Sequence, residues 1–427
     1  MLQITLRGLV LAILWVGLGV LTIEGKTDAE LLWQAGIFSL LLILGGVAER
    51  LFHYQGDPYI LPTVQAITAL GLVFLVRINP ETALRQFWWA NLGLLAFYAA
   101  LWIIGDYRRL GRLQYLWGLA AIGLLFLTLI FGVTAGGATS WLSVAGFRFE
   151  TEELVKVVSL LFLAAYLGEH EELLRVGTVQ FGRLSLPDWR TLGPLLIIAG
   201  VSLGLLAAQK SLGTAMVFYS LFVLLLYAVT ERKFYLGLSV PVFILTSLAG
   251  YVLFGHVRVR VEVWLNPWQD LSGAGYQIAQ SLFAIGGGGL IGTGLGNGIG
   301  AFSVPAASTD FIFAVIAEEL GLAGALAVLT LFLIVVLRSL AISIQAADRF
   351  GQILSAGIGI LIGMETLIIL LGVTKLLPLT GIPLPWVSYG GTSLLVHCFL
   401  LGMLANVSHQ TVASSLRLGV KRREHAV

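Results

Sequence analysis

TDFIFAVIAEELGLAGALAVLTLFLIVVL (residues 309–337) decides the fold. Its only ionisable side chains are Asp310, Glu318 and Glu319, all in the first half, and from Gly321 to Leu337 no charge interrupts it. A helix that crosses a bilayer needs about 20 mostly apolar residues, and this stretch has length to spare. Working outward, the same pattern predicts twelve spans, at about 5–23, 33–48, 59–76, 87–104, 115–133, 151–168, 191–208, 212–230, 234–254, 309–337, 351–377 and 387–410. The span at 33–48 is the shortest. Arg7 precedes the first apolar run in the manner of a signal peptide, but no small-residue cleavage site follows, so a retained anchor is expected.

Composition agrees. Of 427 residues, 58% are hydrophobic and 11% charged, against roughly 25% charged in soluble domains, and the mean hydropathy is +0.94. A soluble enzyme, a disordered chain and a nucleic-acid binder are excluded. The expected fold class is an all-α polytopic membrane protein. The net charge of +2 selects no partner, and Cys398, the one cysteine, has no internal disulfide partner. The 51 glycines suit helices that approach closely in lipid.

Lysine and arginine set the orientation. With the N-terminus inside, the inside holds Arg7, Arg50, Arg108, Arg109, Arg112, Arg175, Arg183, Arg190, Arg232, Lys233, Arg338, Arg349, Arg417, Lys421, Arg422 and Arg423, which is 16 of the 25 basic residues. The outside and the span ends keep the other nine: Lys26, Arg77, Arg85, Arg148, Lys156, Lys210, Arg258, Arg260 and Lys375. Both termini are then cytoplasmic, and the basic tail 411–427 faces a leaflet with anionic lipids. Residues 255–308 become a long outer loop. Its aromatic residues Trp264, Trp268, Tyr276, Phe283 and Phe302 argue for order, and 272–285 reads as a re-entrant or interfacial helix.

Several groups carry chemistry. Arg258 and Arg260 alternate with valines, so in an extended segment both face one way. Two readings fit: a grip on phosphate or carboxylate, or anchoring at lipid headgroups. Asp270, after Asn266-Pro267-Trp268-Gln269, is either a local turn cap or a carboxylate able to take a proton. Gly287-x-Gly289-x-x-Gly292 matches a dinucleotide fingerprint, but the strand and helix that it requires are implausible here, so a tight backbone-exposed loop near a ligand or the lipid surface is the reading. Glu153 and Lys156, at i and i+3, can pair. Glu318 and Glu319 lie a third of the way into their span. Glu365 lies mid-span with no basic neighbour in sequence, so a protonated acid in an interhelical hydrogen bond is expected. His397 and Cys398 have no second His or Cys at ligand spacing. Pro378, Pro383 and Pro385 break the chain before Ser388-Tyr389-Gly390-Gly391, with Lys375 just upstream. Broken backbone at membrane depth is tolerated where protein buries it or a cavity is lined.

The segments FRFETEELVK (147–156), QKSLGTA (209–215), WLNPWQDLSGAGYQIAQS (264–281), GTGLGNG (292–298), STDFIFAVIAEELGLAG (308–324) and LPLTGIPLPWVSYGGTSLL (377–395) resemble, in order, the SEDS (RodA/FtsW-type) family of shape, elongation, division and sporulation proteins. The resemblance implies a ten-span core over 57–410, with 1–50 as an added pair of spans. It implies a bacterial plasma-membrane glycosyltransferase that polymerises lipid II at the outer face beside a class B penicillin-binding protein, which is expected to pack on 309–337 and 351–377. By its place in the N-P-W-x-D segment, Asp270 takes the position of the family's essential loop aspartate and is the candidate base, or a ligand of a divalent cation such as magnesium or manganese. Arg258, Arg260, Lys375, Lys210, Gln277, Ser388 and Tyr389 are candidate substrate contacts. Glu153, Lys156, Asp310 and Glu319 are candidate supports.

Departures from the family pattern are local. Gln-Pro-Asp-Leu-Gly-Thr reads Gln209-Lys210-Ser211-Leu212-Gly213-Thr214, Gln-Pro-Ser reads Glu150-Thr151-Glu152, and a histidine is Ser308. A frequent asparagine is Ile369 and a nearby glutamine is Glu365. A lipid II flippase, or a scaffold for the penicillin-binding protein, is the alternative. The orientation is tested by placing a cysteine at Ser272 in a Cys398→Ser background: an impermeant thiol reagent should label intact cells, and labelling only after lysis inverts the topology.

Overall fold

A computed structural model describes residues 2–135, 138–144, 146–176, 179–181 and 184–424. Twelve long helices among them match the expected spans: α1 (Leu2–Ile23), α2 (Ala29–Leu51), α3 (Ile60–Ile78), α4 (Pro80–Trp102), α5 (Gln114–Phe131), α6 (Thr151–Glu169), α7 (Trp189–Ala208), α8 (Leu212–Thr230), α9 (Lys233–Leu253), α10 (Ile312–Gln345), α11 (Arg349–Val373) and α12 (Gly391–Glu424). Ten are both long and apolar enough to cross a membrane. The other two, α4 and α6, are long enough but carry polar side chains, Glu81, Arg85 and Asn91 in α4 and Glu152, Glu153 and Lys156 in α6. The second helix is longer than expected, because Asp28 starts it by accepting from Leu31 N at 2.8 Å. Arg183 and the end of the tail, 425–427, lie outside the described residues.

The apolar stripes of α3, α11 and α12 meet in one core, with α4 packed along α12 and α10 along α11. Close packing needs small residues: a Cβ on Gly402 would stand 2.3 Å from Phe97 O. The first two helices lie on α3 and α4, tied by Arg7 to Glu49 at 2.6 Å. By contrast, among the described residues α9 packs mainly on α8 and the loop that follows, and Tyr235 is its one buried residue.

The fold is not purely helical. An antiparallel sheet of β1 (Val133–Ala135), β2 (Ala138–Val144) and β3 (Phe147–Glu150) lies between α5 and α6, and a hairpin of β4 (Val179–Phe181) and β5 (Leu184–Leu186) lies between α6 and α7. The run Thr139, Trp141, Ser143 alternates along β2, a pattern too short to stand out between two spans. Pairing of Trp141 with Glu150 fixes where α6 begins.

Helix α10 is broken at Gly321, where φ is 65° and ψ is −167°. Such a break frees amides and carbonyls that no lipid can satisfy. The glycine-rich loop supplies their partners. Thr293 N donates to Glu318 O at 3.0 Å, Gly294 N to Glu319 O at 2.9 Å, and Leu322 N to Gly289 O at 2.9 Å. The same loop wraps both side chains: Glu319 accepts from Gly296 N at 2.9 Å, and Glu318 from Ile299 N at 3.1 Å and Gly300 N at 2.7 Å. Arg77 closes the knot, donating to Glu319 at 2.9 Å and to Gly298 O at 2.6 Å. The expectation of a loop near a ligand or the lipid surface therefore gives way to a loop folded on its own helix. Arg77→Met strands a buried carboxylate, which costs about 3–5 kcal/mol. A thermal unfolding midpoint clearly below wild type in detergent is expected, and an unchanged one removes the knot from the account.

Candidate active site

Residues 255–308 are structured by two helices, Gly255–Leu265 and Tyr276–Gly288, joined through a 3-10 turn at Pro267–Asp270. The first helix is clamped to the proline-broken segment after α11. Arg260 donates to Thr380 O at 2.9 Å and to Leu379 O at 3.3 Å, and Trp264 Nε1 donates to Lys375 O at 3.2 Å. The extended segment expected here is thus a helix, and residues two apart in a helix point about 200° apart. Arg258 instead faces the Tyr251 ring at 5.6 Å. The pair of same-facing arginines is corrected to Arg260 alone.

Other charges gather around Arg260. A methyl placed on Gly381 would stand 3.7 Å from both Arg260 Nη2 and Asp310 Oδ2, so these groups flank one open glycine. Burial pushes the Asp310 carboxyl above its usual range, opposed by a Thr309 hydrogen bond and by Arg260. Burial also lowers the His256 imidazole, and Arg260 and Lys210 add to that; the sequence reading passed over this histidine. Glu150, at the start of α6, is pushed up to about 8 by burial first and then by Glu153 and Glu152. Lys210 and Lys375 both sit at left-handed corners, each with φ 62°. Lys210 and Gln277 are exposed and Lys375 is half-buried.

Two candidates hold structure instead. Ser388 is buried; its hydroxyl accepts from Leu384 N at 2.9 Å and donates to Thr309 O at 2.5 Å. Tyr389 N donates to Ser308 O at 2.8 Å. Both tie the proline segment to the start of α10.

Asp270 is exposed and caps its own turn, accepting from Ala274 N at 3.0 Å. Gly273 and Gly275 make that turn possible: a Cβ on Gly273 would lie 2.2 Å from the Asp270 carboxylate and one on Gly275 2.1 Å from Pro267 O. Ring contact between Trp268 and Phe283 at 5.8 Å joins the turn to the second loop helix. Among the described residues neither Arg258 nor Arg260 forms an ion pair with Asp270.

Beneath this face lies a buried charge cluster. Lys156 Nζ is 2.9 Å from Glu153 Oε1 and 2.5 Å from Glu365 Oε1, and His397 Nε2 is 2.6 Å from Glu365 Oε2. All four side chains are at most 2% exposed. Glu365 is therefore an ion-paired carboxylate, not the protonated acid expected; its cation comes from α6, far away in sequence. The Glu153–Lys156 pair is found as expected, though buried and not interfacial. Beside it Glu152 accepts from Ser211 at 2.5 Å, from Thr214 at 2.5 Å and from Ser140. The departures at positions 152 and 211 thus meet in space, and the carboxylate lost at Ser211 is supplied across the same contact by Glu152.

The face can therefore offer cations to an anionic group at Arg260, Lys210 and Lys375, and an exposed carboxylate at Asp270. Glu153, Glu365 and His397 have ligand spacing, but the Lys156 ammonium stands between the two carboxylates, so these residues do not fit a dication. Among the described residues Asp270 belongs to no group of three side chains with ligand spacing.

Comparison with known proteins places this geometry. Residues 57–413 match the FtsW/RodA/SpoVE family, described as cell cycle proteins. The chain is 37% identical over 408 residues to the peptidoglycan glycosyltransferase RodA of Mycobacterium tuberculosis, covering 91% of this chain and 86% of that one. It is 34% identical over 370 residues to a probable peptidoglycan glycosyltransferase FtsW of Geobacter metallireducens, covering 82% and 94%. Among solved structures it is similar to a chain described under structural coordination of polymerization and crosslinking by a peptidoglycan synthase complex, with TM-score 0.69, 26% identity, and 84% and 98% coverage. The rod shape determining protein RodA of Thermus thermophilus gives TM-score 0.58 at 26% identity, covering 83% and 97%. With the family match over most of its length and relatives this similar, the chain belongs to the FtsW/RodA/SpoVE family of multi-pass membrane proteins.

Proposed function

We propose that this protein is a peptidoglycan glycosyltransferase that polymerises lipid II at the outer face of a bacterial plasma membrane, with both termini cytoplasmic. The observation that carries the reading is the activity named for relatives that align over 91% of the chain. The cations Arg260, Lys210 and Lys375 and the exposed carboxylate of Asp270 suit it chemically. A sugar hydroxyl of the acceptor attacks the anomeric carbon of the donor, and the pyrophosphate leaves with its electron pair. The hydroxyl needs a base and the leaving group needs positive charge. Asp270 takes the proton after releasing Ala274 N. Arg260, Lys210 and Lys375 face the pyrophosphate. A divalent cation, where the reaction uses one, would be held by Asp270 and would supply charge neutralisation.

A positioned base supplies about 10²–10⁴-fold in rate. Asp270→Asn should fold, reach the membrane and lose polymerisation of lipid II by that order in a purified assay. Retention of most of the rate would return Asp270 to its role as a turn cap. Loss reversed by excess divalent cation would make it a ligand.

A class B penicillin-binding protein is proposed to pack on α10. Of the small residues expected there, Gly321 and Ala325 are buried, which leaves Ala323 and part of Gly324 beside Leu322, Leu326 and Leu333 on the open face. Most of α11 is buried, so 351–377 offers little beyond Leu367 and Leu376. Ala323→Trp should lower co-purification of the partner; full recovery moves the interface elsewhere.

Glu153 and Lys156 are proposed to support this activity. Either single alanine change leaves an unpaired buried charge and should reduce polymerisation strongly, with the double change less than additive. Strict additivity in the double-mutant cycle means that the two do not couple.

A further inference from the structure

The buried cluster poses a question of proton count that the proposed chemistry does not use. His397 Nε2 lies 2.6 Å from Glu365 Oε2, and its Nδ1 lies 2.8 Å from Ser393 O. A backbone carbonyl only accepts, and a carboxylate only accepts. A neutral imidazole protonated at Nε2 would leave a bare Nδ1 facing the Ser393 carbonyl, with the Ser393 hydroxyl at 3.2 Å as its donor; the closer approach, to the carbonyl, favours an N–H at both nitrogens. The Lys156 ammonium, 2.5 Å from the other oxygen of Glu365, favours the carboxylate over the acid at that residue.

We infer that His397 is an imidazolium, and that it completes an electrically neutral quartet with Glu365, Lys156 and Glu153. Two cations then balance two anions in a site from which water is excluded, where an unbalanced charge costs several kcal/mol. His397 is a positioning residue. It holds Glu365, and Glu365 with Glu153 fixes the Lys156 ammonium. The groups that face it are Glu365 from α11, Glu153 at 3.9 Å and Lys156 from α6, and the Trp386 ring at 5.5 Å. The inference stands whatever reaction the loop face performs.

Nitrogen-15 NMR of histidine-labelled protein in detergent at about pH 7.5 reads the proton count directly, with His397→Gln identifying the resonance. An exposed histidine is mostly neutral at that pH. Two protonated ring nitrogens are expected for His397, and one protonated and one bare nitrogen overturn the inference, including the case in which Glu365 holds the proton. A second test works by charge balance. His397→Gln leaves the site with a net negative charge and should lower the thermal midpoint. Adding Glu365→Gln removes that charge and should recover most of the loss. A double variant no more stable than His397→Gln alone also overturns it.

Discussion

The structure depends on one broken helix. At Gly321 the α10 backbone leaves helical geometry, and in a membrane every amide and carbonyl so released must find a partner within the protein. The glycine-rich loop meets that demand from both sides of the break. It can do so because Gly292, Gly294 and Gly296 take positive φ, which costs other residues far more. Once the loop is drawn onto α10, its amides point at Glu318 and Glu319, and Arg77 from α3 neutralises the latter. The loop helix Tyr276–Gly288 runs straight into this knot, so the position of the Asp270 turn is tied to the break.

A second constraint acts across the proline-broken segment after α11. Its carbonyls at Leu379 and Thr380 are also unpaired by any helix, and Arg260 takes both. The two irregular stretches are thereby turned into anchors for the loop face. Polar groups unaffordable in lipid become the fastening points, and the exposed cations and Asp270 are carried on them.

Much of this was legible in the sequence. Twelve apolar runs predict the twelve long helices, since a span announces itself by length and absence of charge. Three prolines announce the irregular segment, and the N-P-W-x-D turn announces Asp270. The i, i+3 spacing announces Glu153 with Lys156. Other features were hidden for physical reasons. The strand-like alternation at 256–261 is also what a short helix with both faces wetted looks like, so Arg258 and Arg260 were paired wrongly. His256 gave no signal, being a single histidine in the loop.

Sequence by itself determined what each residue can do locally: which runs suit lipid, where the backbone cannot stay helical, and which side chains carry charge. Only the tertiary structure decided who meets whom. Glu365 reads as an orphan acid because Lys156 is more than two hundred positions away, and Ser211 reads as a lost carboxylate because Glu152 is on another helix. The glycine run reads as a ligand loop because its partner is the backbone of α10, which no side chain advertises. Charge balance and backbone satisfaction are sums over neighbours in space, and neighbours in space are what packing of the twelve helices fixes.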